Sequence, residues 1–177
     1  YRNFTGQIDE VAFYDKALVP FTQTTNPDGT KGWTYPWMLR LRPGSTDTPN
    51  QHIQARTALV KGTGGQYRGV VVADAPVAYW RLGEASGTAL RSEVGGPDMN
   101  AVFRADQGTV RQSALDATGV FGVGDNRAVH LGRGGHIEVP GSLPKGTSEL
   151  SAEMWFRTST PSAVLLGFQN QPIGQTP

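Results

Sequence analysis

The sequence predicts an all-β fold of short antiparallel strands, and three observations support that prediction. Glycine and proline number 23 and 12 among 177 residues, about a fifth of the chain where roughly 12% is usual. In several short stretches apolar residues alternate with polar ones, which is the period of a strand with one buried face. Clusters rich in glycine separate these stretches. Such clusters are typical of turns between strands.

The composition excludes several functional classes. The chain has no cysteine, so disulfides, zinc–thiolate sites and thiol catalysis are absent. The formal net charge of +1 is too small to attract nucleic acid or an anionic membrane. No apolar run reaches the ~18 residues that a membrane span needs, and no signal peptide is visible. We therefore expect neither nucleic acid nor membrane insertion among the partners.

The most informative stretch is PVAYWRLGEASGT, residues 76–88. Ala78, Trp80 and Leu82 alternate with polar positions, which predicts a strand over residues 77–84 with Trp80 and Leu82 in the core. The stretch resembles the opening strand of laminin-G-like domains, which have the concanavalin A type of fold. The resemblance implies an all-β, antiparallel jelly-roll sandwich.

Residues 5–18, TGQIDEVAFYDKAL, are similar to the closing strand of the same fold. Val11 and Phe13 share one face and Ile8 falls out of phase with them, which predicts a bulge near Asp9 and Glu10. A closing strand here precedes an opening strand, as at the seam of a tandem. The predicted organisation is residues 1–18 as the closing strand of a preceding domain, 19–69 as a linker, and 70–177 as the N-terminal portion of a second laminin-G-like domain.

Opening and closing strands are antiparallel neighbours in this fold, and an unpaired strand edge invites association. We therefore expect residues 7–14 to pair antiparallel with residues 77–84. The pairing partner lies either in the same chain or, by strand donation, in another chain. In the first case Val11 and Phe13 face Trp80.

The linker contains an aromatic extended arm and a short helix. Trp33, Tyr35 and Trp37 lie at every second position and so share one side of the arm. They could form a sugar-stacking platform or contacts between domains. The second interpretation is favoured because apolar residues continue the stripe. Residues 50–59 predict a helix with Asn50 as its cap, and the resemblance implies a short helix with a His-x-x-Ala step at this place.

The second half predicts further strands. Residues 99–103, 150–156 and 164–168 form three of them, and the Gly-rich turn at 132–135 predicts a hairpin between two others. That hairpin places His130 and His136 opposite each other on its outward face, where a plain exposed pair is favoured over a transition-metal site. Phe156 is expected in the core with Trp80, and Trp155 on the opposite face is a second candidate for stacking on sugar.

Catalysis is not expected. Jelly-roll glycoside hydrolases place carboxylates along one strand as Glu-x-Asp-x-x-Glu, and the sequence has no such run. Glu149 and Glu153 are four residues apart, but Glu149 falls in a turn. Neither a nucleophile elbow nor a phosphate-binding loop is present.

Calcium is the ion that the resemblance implies. Hard cations prefer carboxylate and carbonyl oxygens, and Glu84, Asp98 and Asp9 are the candidate ligands because opening and closing strands are neighbours in this fold. Plain surface acids are the favoured alternative.

The expected function is a non-catalytic binding or spacer module of a large secreted or cell-surface bacterial protein. Its ligand is carbohydrate or protein, and it contacts neighbouring domains or chains by strand pairing. Two alternatives stay open: an accessory module of a glycan-active enzyme, and a purely structural module in a multidomain shell or toxin-delivery protein.

Overall fold

The computed structural model describes residues 4–18, 22–34, 48–60, 67–104, 114–118, 127–132, 134–143, 148–159 and 161–168. Two helices lie in these ranges, α1 (Thr48–Val60) and α2 (Tyr67–Ala73). The strands are β1 (Gly6–Tyr14), β2 (Thr22–Thr25), β3 (Lys31–Thr34), β4 (Ala78–Trp80), β5 (Ala89–Leu90), β6 (Ala101–Arg104), β7 (Ala114–Thr118), β8 (Arg127–Leu131), β9 (His136–Glu138) and β10 (Ser151–Thr158).

These strands form two main sheets and a separate hairpin, and all their pairings are antiparallel. The larger sheet has five strands in the order β10-β1-β8-β7, with β4 also paired to β1. The smaller sheet has the order β5-β6-β9, and β2 pairs with β3 alone. The described part of the chain is thus mostly β-sheet with two short helices, which is consistent with the expected all-β sandwich.

Strand β1 lies at the centre of the larger sheet. One edge pairs with β10 along most of its length, from Gly6 to Tyr14. The other edge pairs first with β8, through Gly6–Ile8, and then with β4, through Val11–Phe13. The register shifts between Asp9 and Ala12, and Glu10 has a φ of 55°, so the predicted bulge is confirmed.

The expected pairing of residues 7–14 with residues 77–84 is confirmed for residues 11–13 and 78–80 of the same chain, and the predicted strand 77–84 is shortened to Ala78–Trp80. Val11 lies opposite Trp80 and Phe13 opposite Ala78. The rings of Phe13 and Trp80 meet edge to face with their centroids 5.9 Å apart. The segment that resembles a closing strand therefore lies in the same sheet as the segment that resembles an opening strand.

An apolar core lies between the two main sheets. Trp80 and Leu82 are each 1% exposed, as expected, and the Trp80 indole N–H donates to the Met99 carbonyl over 2.8 Å. Because the bulge adds one residue, Ile8 joins the same face as the apolar residues that follow it. The core residues from both sheets and their loops are Phe4, Ile8, Val11, Phe13, Ala78, Trp80, Leu82, Leu90, Ala101, Phe103, Val129, Leu131 and Leu143.

Phe156 is a correction to the predicted core. The predicted alternation of this strand is correct, because Met154, on the same face as Phe156, packs against the core. Phe156 itself is 45% exposed, and its ring contacts Phe4 at a centroid distance of 6.2 Å. Because β10 is the last strand in the sheet order, its side chains lie at the margin of the apolar core rather than at its centre.

The predicted histidine hairpin is wrong. Strand β8 pairs with β1 and β7, whereas β9 pairs with β6 in the other sheet. His130 therefore lies opposite Gln7, and His136 lies opposite Arg104. A turn does form, with the Gly135 N–H donating to the Gly132 carbonyl over 3.1 Å. It carries the chain from one sheet to the other, so that both strands face the shared core.

Two local predictions also need correction. Helix α1 begins at Thr48, so Asn50 lies inside the helix and is not its cap. Residues 164–168 form no strand, and their large apolar side chains are exposed.

The buried position of Trp80 leads to a stability prediction. Replacement by alanine removes a large side chain from a packed core, so Trp80→Ala should lower the free energy of unfolding by about 3–5 kcal/mol. Phe156→Ala is the matched control and should cost clearly less, because that ring is half exposed. Urea unfolding of both variants measures the difference. Equal losses would contradict this assignment of the core.

Candidate functional site

The outer face of the five-stranded sheet is covered by the two helices, and charged groups are buried beneath them. Apolar contacts here come from Ala12, Tyr14, Tyr67, Val71 and Tyr79. The buried acidic and basic side chains of the described chain are Asp9, Glu10, His52 and Arg56. We call these four residues, together with Asp74 and Glu153, the buried ionic cluster.

Arg56 neutralises the two acids of the β1 bulge. Its Nη2 lies 2.8 Å from Asp9 Oδ2, and its Nη1 lies 3.3 Å from Glu10 Oε1. All three side chains are at most 1% exposed. The guanidinium carbon also lies 5.4 Å from the centre of the Tyr67 ring and 5.7 Å from that of Trp155, within the range of cation–π attraction.

Glu10 has two further partners on and beyond strand β4. The Tyr79 hydroxyl donates to Glu10 Oε2, and Arg81 Nη2 lies 3.4 Å from Glu10 Oε1. Burial and the charge of Glu10 raise the pKa of Tyr79 far above its ordinary value, so this hydroxyl stays a donor. Arg81 is 43% exposed and connects the buried carboxylate to the surface.

His52 bridges two carboxylates from different elements. Its Nδ1 lies 2.6 Å from Glu153 Oε2 on β10, and its Nε2 lies 2.9 Å from Asp74 Oδ2, directly after α2. Burial acts to lower the pKa of His52, but the hydrogen bonds and charges of Glu153 and Asp74 outweigh it. The pKa of His52 therefore lies above its ordinary value, which favours the imidazolium, the form that can donate from both nitrogens.

Tyr67 and Trp155 extend the cluster. The Tyr67 hydroxyl donates to Glu153 Oε1 over 2.8 Å, and the Trp155 indole N–H donates to the Tyr67 hydroxyl over 2.8 Å. Burial, followed by the charge of Glu153, raises the pKa of Tyr67 far above its usual range. Glu153 thus contacts the His52 ring through one carboxylate oxygen and the Tyr67 hydroxyl through the other.

Of the predicted sugar-stacking residues, Trp155 has a side chain that the structure describes. Trp155 packs edge to face on Tyr67, with ring centroids 6.0 Å apart, and is partly buried beneath the helices. Trp33 lies in β3 opposite Gln23. Tyr35 and Trp37 lie outside the described residues, so the aromatic arm stays a prediction.

The three candidate calcium ligands have separate environments. Asp9 is fully buried and paired with Arg56, Glu84 Oε1 accepts the Arg91 N–H over 2.7 Å, and Asp98 lies in a short 3₁₀ helix. Within the ranges that the structure describes, no three acidic or histidine side chains are grouped to hold a metal ion. Calcium binding stays a prediction. If Glu84 is a ligand, millimolar calcium should raise the melting temperature of wild type and raise that of Glu84→Gln less.

The cluster can act as an electrostatic tie. Asp9 and Glu10 are held by Arg56, and both ring nitrogens of His52 are engaged with carboxylates. General-base catalysis needs an imidazole nitrogen or a carboxylate within reach of a substrate, and these groups are directed at one another. The arrangement joins α1 and the end of α2 to β1 and β10.

Sequence reasoning missed this cluster, although the sequence contains signals of it. His52 and Arg56 are four residues apart in a helix, so they lie on one face. Glu153 lies in a strand where apolar and polar residues alternate, and that alternation alone places the Glu153 side chain in solvent. Two acids in an apolar strand, at Asp9 and Glu10, could have pointed to a buried cationic partner.

Comparison of the chain with protein-family models, with curated proteins and with solved structures finds no match. Neither of the helices in the described ranges has the length and hydropathy that crossing a bilayer requires.

Removing the charge of Arg56 should strongly destabilise the fold. Arg56→Met keeps much of the side-chain volume but leaves Asp9 and Glu10 buried without their cation, at a cost of about 3–5 kcal/mol. Arg68→Met is the matched control, because Arg68 is 53% exposed in its pair with Glu93 and exposed pairs contribute about 0–1 kcal/mol. Denaturant unfolding compares the two, and similar losses would show that the cluster carries little stability.

Proposed function

We propose that this chain is a non-catalytic binding or spacer module of the laminin-G-like, jelly-roll type. It belongs to a large secreted or cell-surface bacterial protein, and its ligand is carbohydrate or protein. The observation that carries the proposal is the buried ionic cluster, in which the charged groups neutralise one another. The antiparallel pairing of β1 with β4 supports the laminin-G-like assignment, because closing and opening strands are neighbours in that fold.

The cluster favours a structural role over catalysis on energetic grounds. An active-site acid or base works when its perturbed group faces a substrate and can exchange a proton with it. His52 is 3% exposed, and Glu153 accepts bonds from His52 and Tyr67. Exchange with a substrate would first require these contacts to break, so the arrangement is suited to holding the helices on the sheet.

A protein partner is supported by exposed apolar side chains near the end of the described chain. Leu165, Leu166 and Phe168 are 36%, 38% and 52% exposed, and clustered apolar exposure is typical of surfaces that contact other proteins. This observation favours the structural-module alternative. The accessory-module alternative has the same fold requirements and differs in the activity of adjoining domains.

A combined binding and turnover experiment tests the proposal. The protein is applied to a glycan array, and the same glycans are incubated with it while newly formed reducing ends are measured. We expect no reducing ends above those of a heat-denatured sample, whether or not glycans bind. Glycan silence together with a stable complex with adjoining domains would select the structural alternative.

The control variant for this experiment is Glu153→Gln, which keeps an acceptor for Tyr67 and removes the carboxylate charge. Release of reducing ends by wild type that disappears in Glu153→Gln would contradict a non-catalytic role. It would identify Glu153 as a catalytic acid.

A further inference from the structure

The buried side chains of helix α1 within residues 51–58 are polar. Among residues 51–58, whose side chains are described, only His52 and Arg56 are buried. Helix α2 instead buries Tyr67 and Val71. Apolar burial therefore contributes to holding α2, whereas the buried side chains at residues 51–58 of α1 make ion pairs and hydrogen bonds, which are sensitive to protonation.

His52 can donate hydrogen bonds to both of its carboxylate partners only when its ring is protonated. An imidazolium has two N–H donors, and the two nitrogens face Glu153 and Asp74 at 2.6 and 2.9 Å. A neutral imidazole keeps one donor and directs a lone pair at the other carboxylate. Loss of the proton thus removes one charge-assisted hydrogen bond and leaves two carboxylates facing an uncharged ring.

The other groups around His52 do not compensate for this change. Tyr14 lies with its ring centroid 6.4 Å from that of His52, and Tyr67 at 6.3 Å. Burial raises the pKa of both phenols well above their ordinary range, so they stay neutral. Arg56, one turn along α1, stays charged, and Lys16 Nζ donates to the Asp74 backbone carbonyl at 2.5 Å.

We propose that His52 is a pH-sensitive latch that stabilises the docked position of helix α1 as an imidazolium, and that loss of its proton shifts α1 toward an undocked state in which the Arg56 pairs also open. Release uncovers the Tyr67 and Trp155 rings, which lie against Arg56 in the docked state. The latch acts above about pH 6.5, the ordinary pKa of a histidine, and it is independent of what the module binds.

The sign of the effect follows from linkage. The pKa of His52 is higher in the docked state than its unperturbed value of about 6.5. The stabilisation by His52 is therefore complete below about pH 6.5 and is lost as pH rises through the pKa of the docked state. Across this range the protection factors of α1 should fall in total by about tenfold for each unit by which the pKa of docked His52 exceeds its unperturbed value.

Amide hydrogen exchange between pH 6 and 9, corrected for the intrinsic rate at each pH, tests the latch. In wild type we expect the protection factors of α1 to fall with rising pH while those of β4 and β1 stay constant. In His52→Gln, α1 should show low protection without this pH dependence. His136→Gln is the matched control and should behave as wild type, because His136 lies in the other sheet.

A second measurement begins with wild type alone. The chain has three histidines, and NMR titration of wild type assigns a pKa to each ring. We expect the His52 ring to titrate above 6.5, and Glu153→Gln to lower its pKa by removing one carboxylate charge. A His52 pKa at or below 6.5, or pH-dependent protection of α1 that persists in His52→Gln, would overturn the proposal.

Discussion

The one-residue bulge in β1 determines the arrangement of both layers of the structure. It brings Ile8 onto the same face as Val11 and Phe13, and so makes one side of the central strand apolar. It also lies where the partner of β1 changes from β8 to β4. Glu10 adopts a positive φ there, which is uncommon for a residue with a side chain. The contacts with Arg56 and Tyr79 hold it in that conformation.

The two faces of the sheet are stabilised by different physics. Between the sheets, aromatic and aliphatic side chains surround Trp80, and burial of apolar surface provides most of the stabilisation. Under the helices, buried charges lose hydration and recover it only through close ion pairs and hydrogen bonds. The outer layer is therefore more sensitive to the loss of one partner or one proton. That sensitivity is the basis of both the Arg56 and the His52 predictions.

The sequence predicted the apolar layer well and the ionic layer poorly. Period-two alternation identifies Trp80 and Leu82 as core residues, and the phase of Ile8 reveals the bulge. Alternation assumes solvent on the second face, so it assigns Tyr79 and Trp155 to the outside, whereas helices cover them. Alternation also does not show which strands pair. The Gly-rich turn after β8 therefore predicts a hairpin, whereas the chain passes there from the larger sheet to the smaller one.

The most direct test is whether β1 occupies the larger sheet of its own chain. Because the chain has no cysteine, the double variant Gln7→Cys/His130→Cys places one cysteine pair at positions that lie opposite each other in β1 and β8. Mild oxidation should give an intramolecular disulfide in a monomer, and Gln7→Cys/Arg104→Cys, with its second cysteine in the other sheet, should give none. Disulfide-linked dimers of the first variant, or no disulfide at all, would contradict the placement of β1.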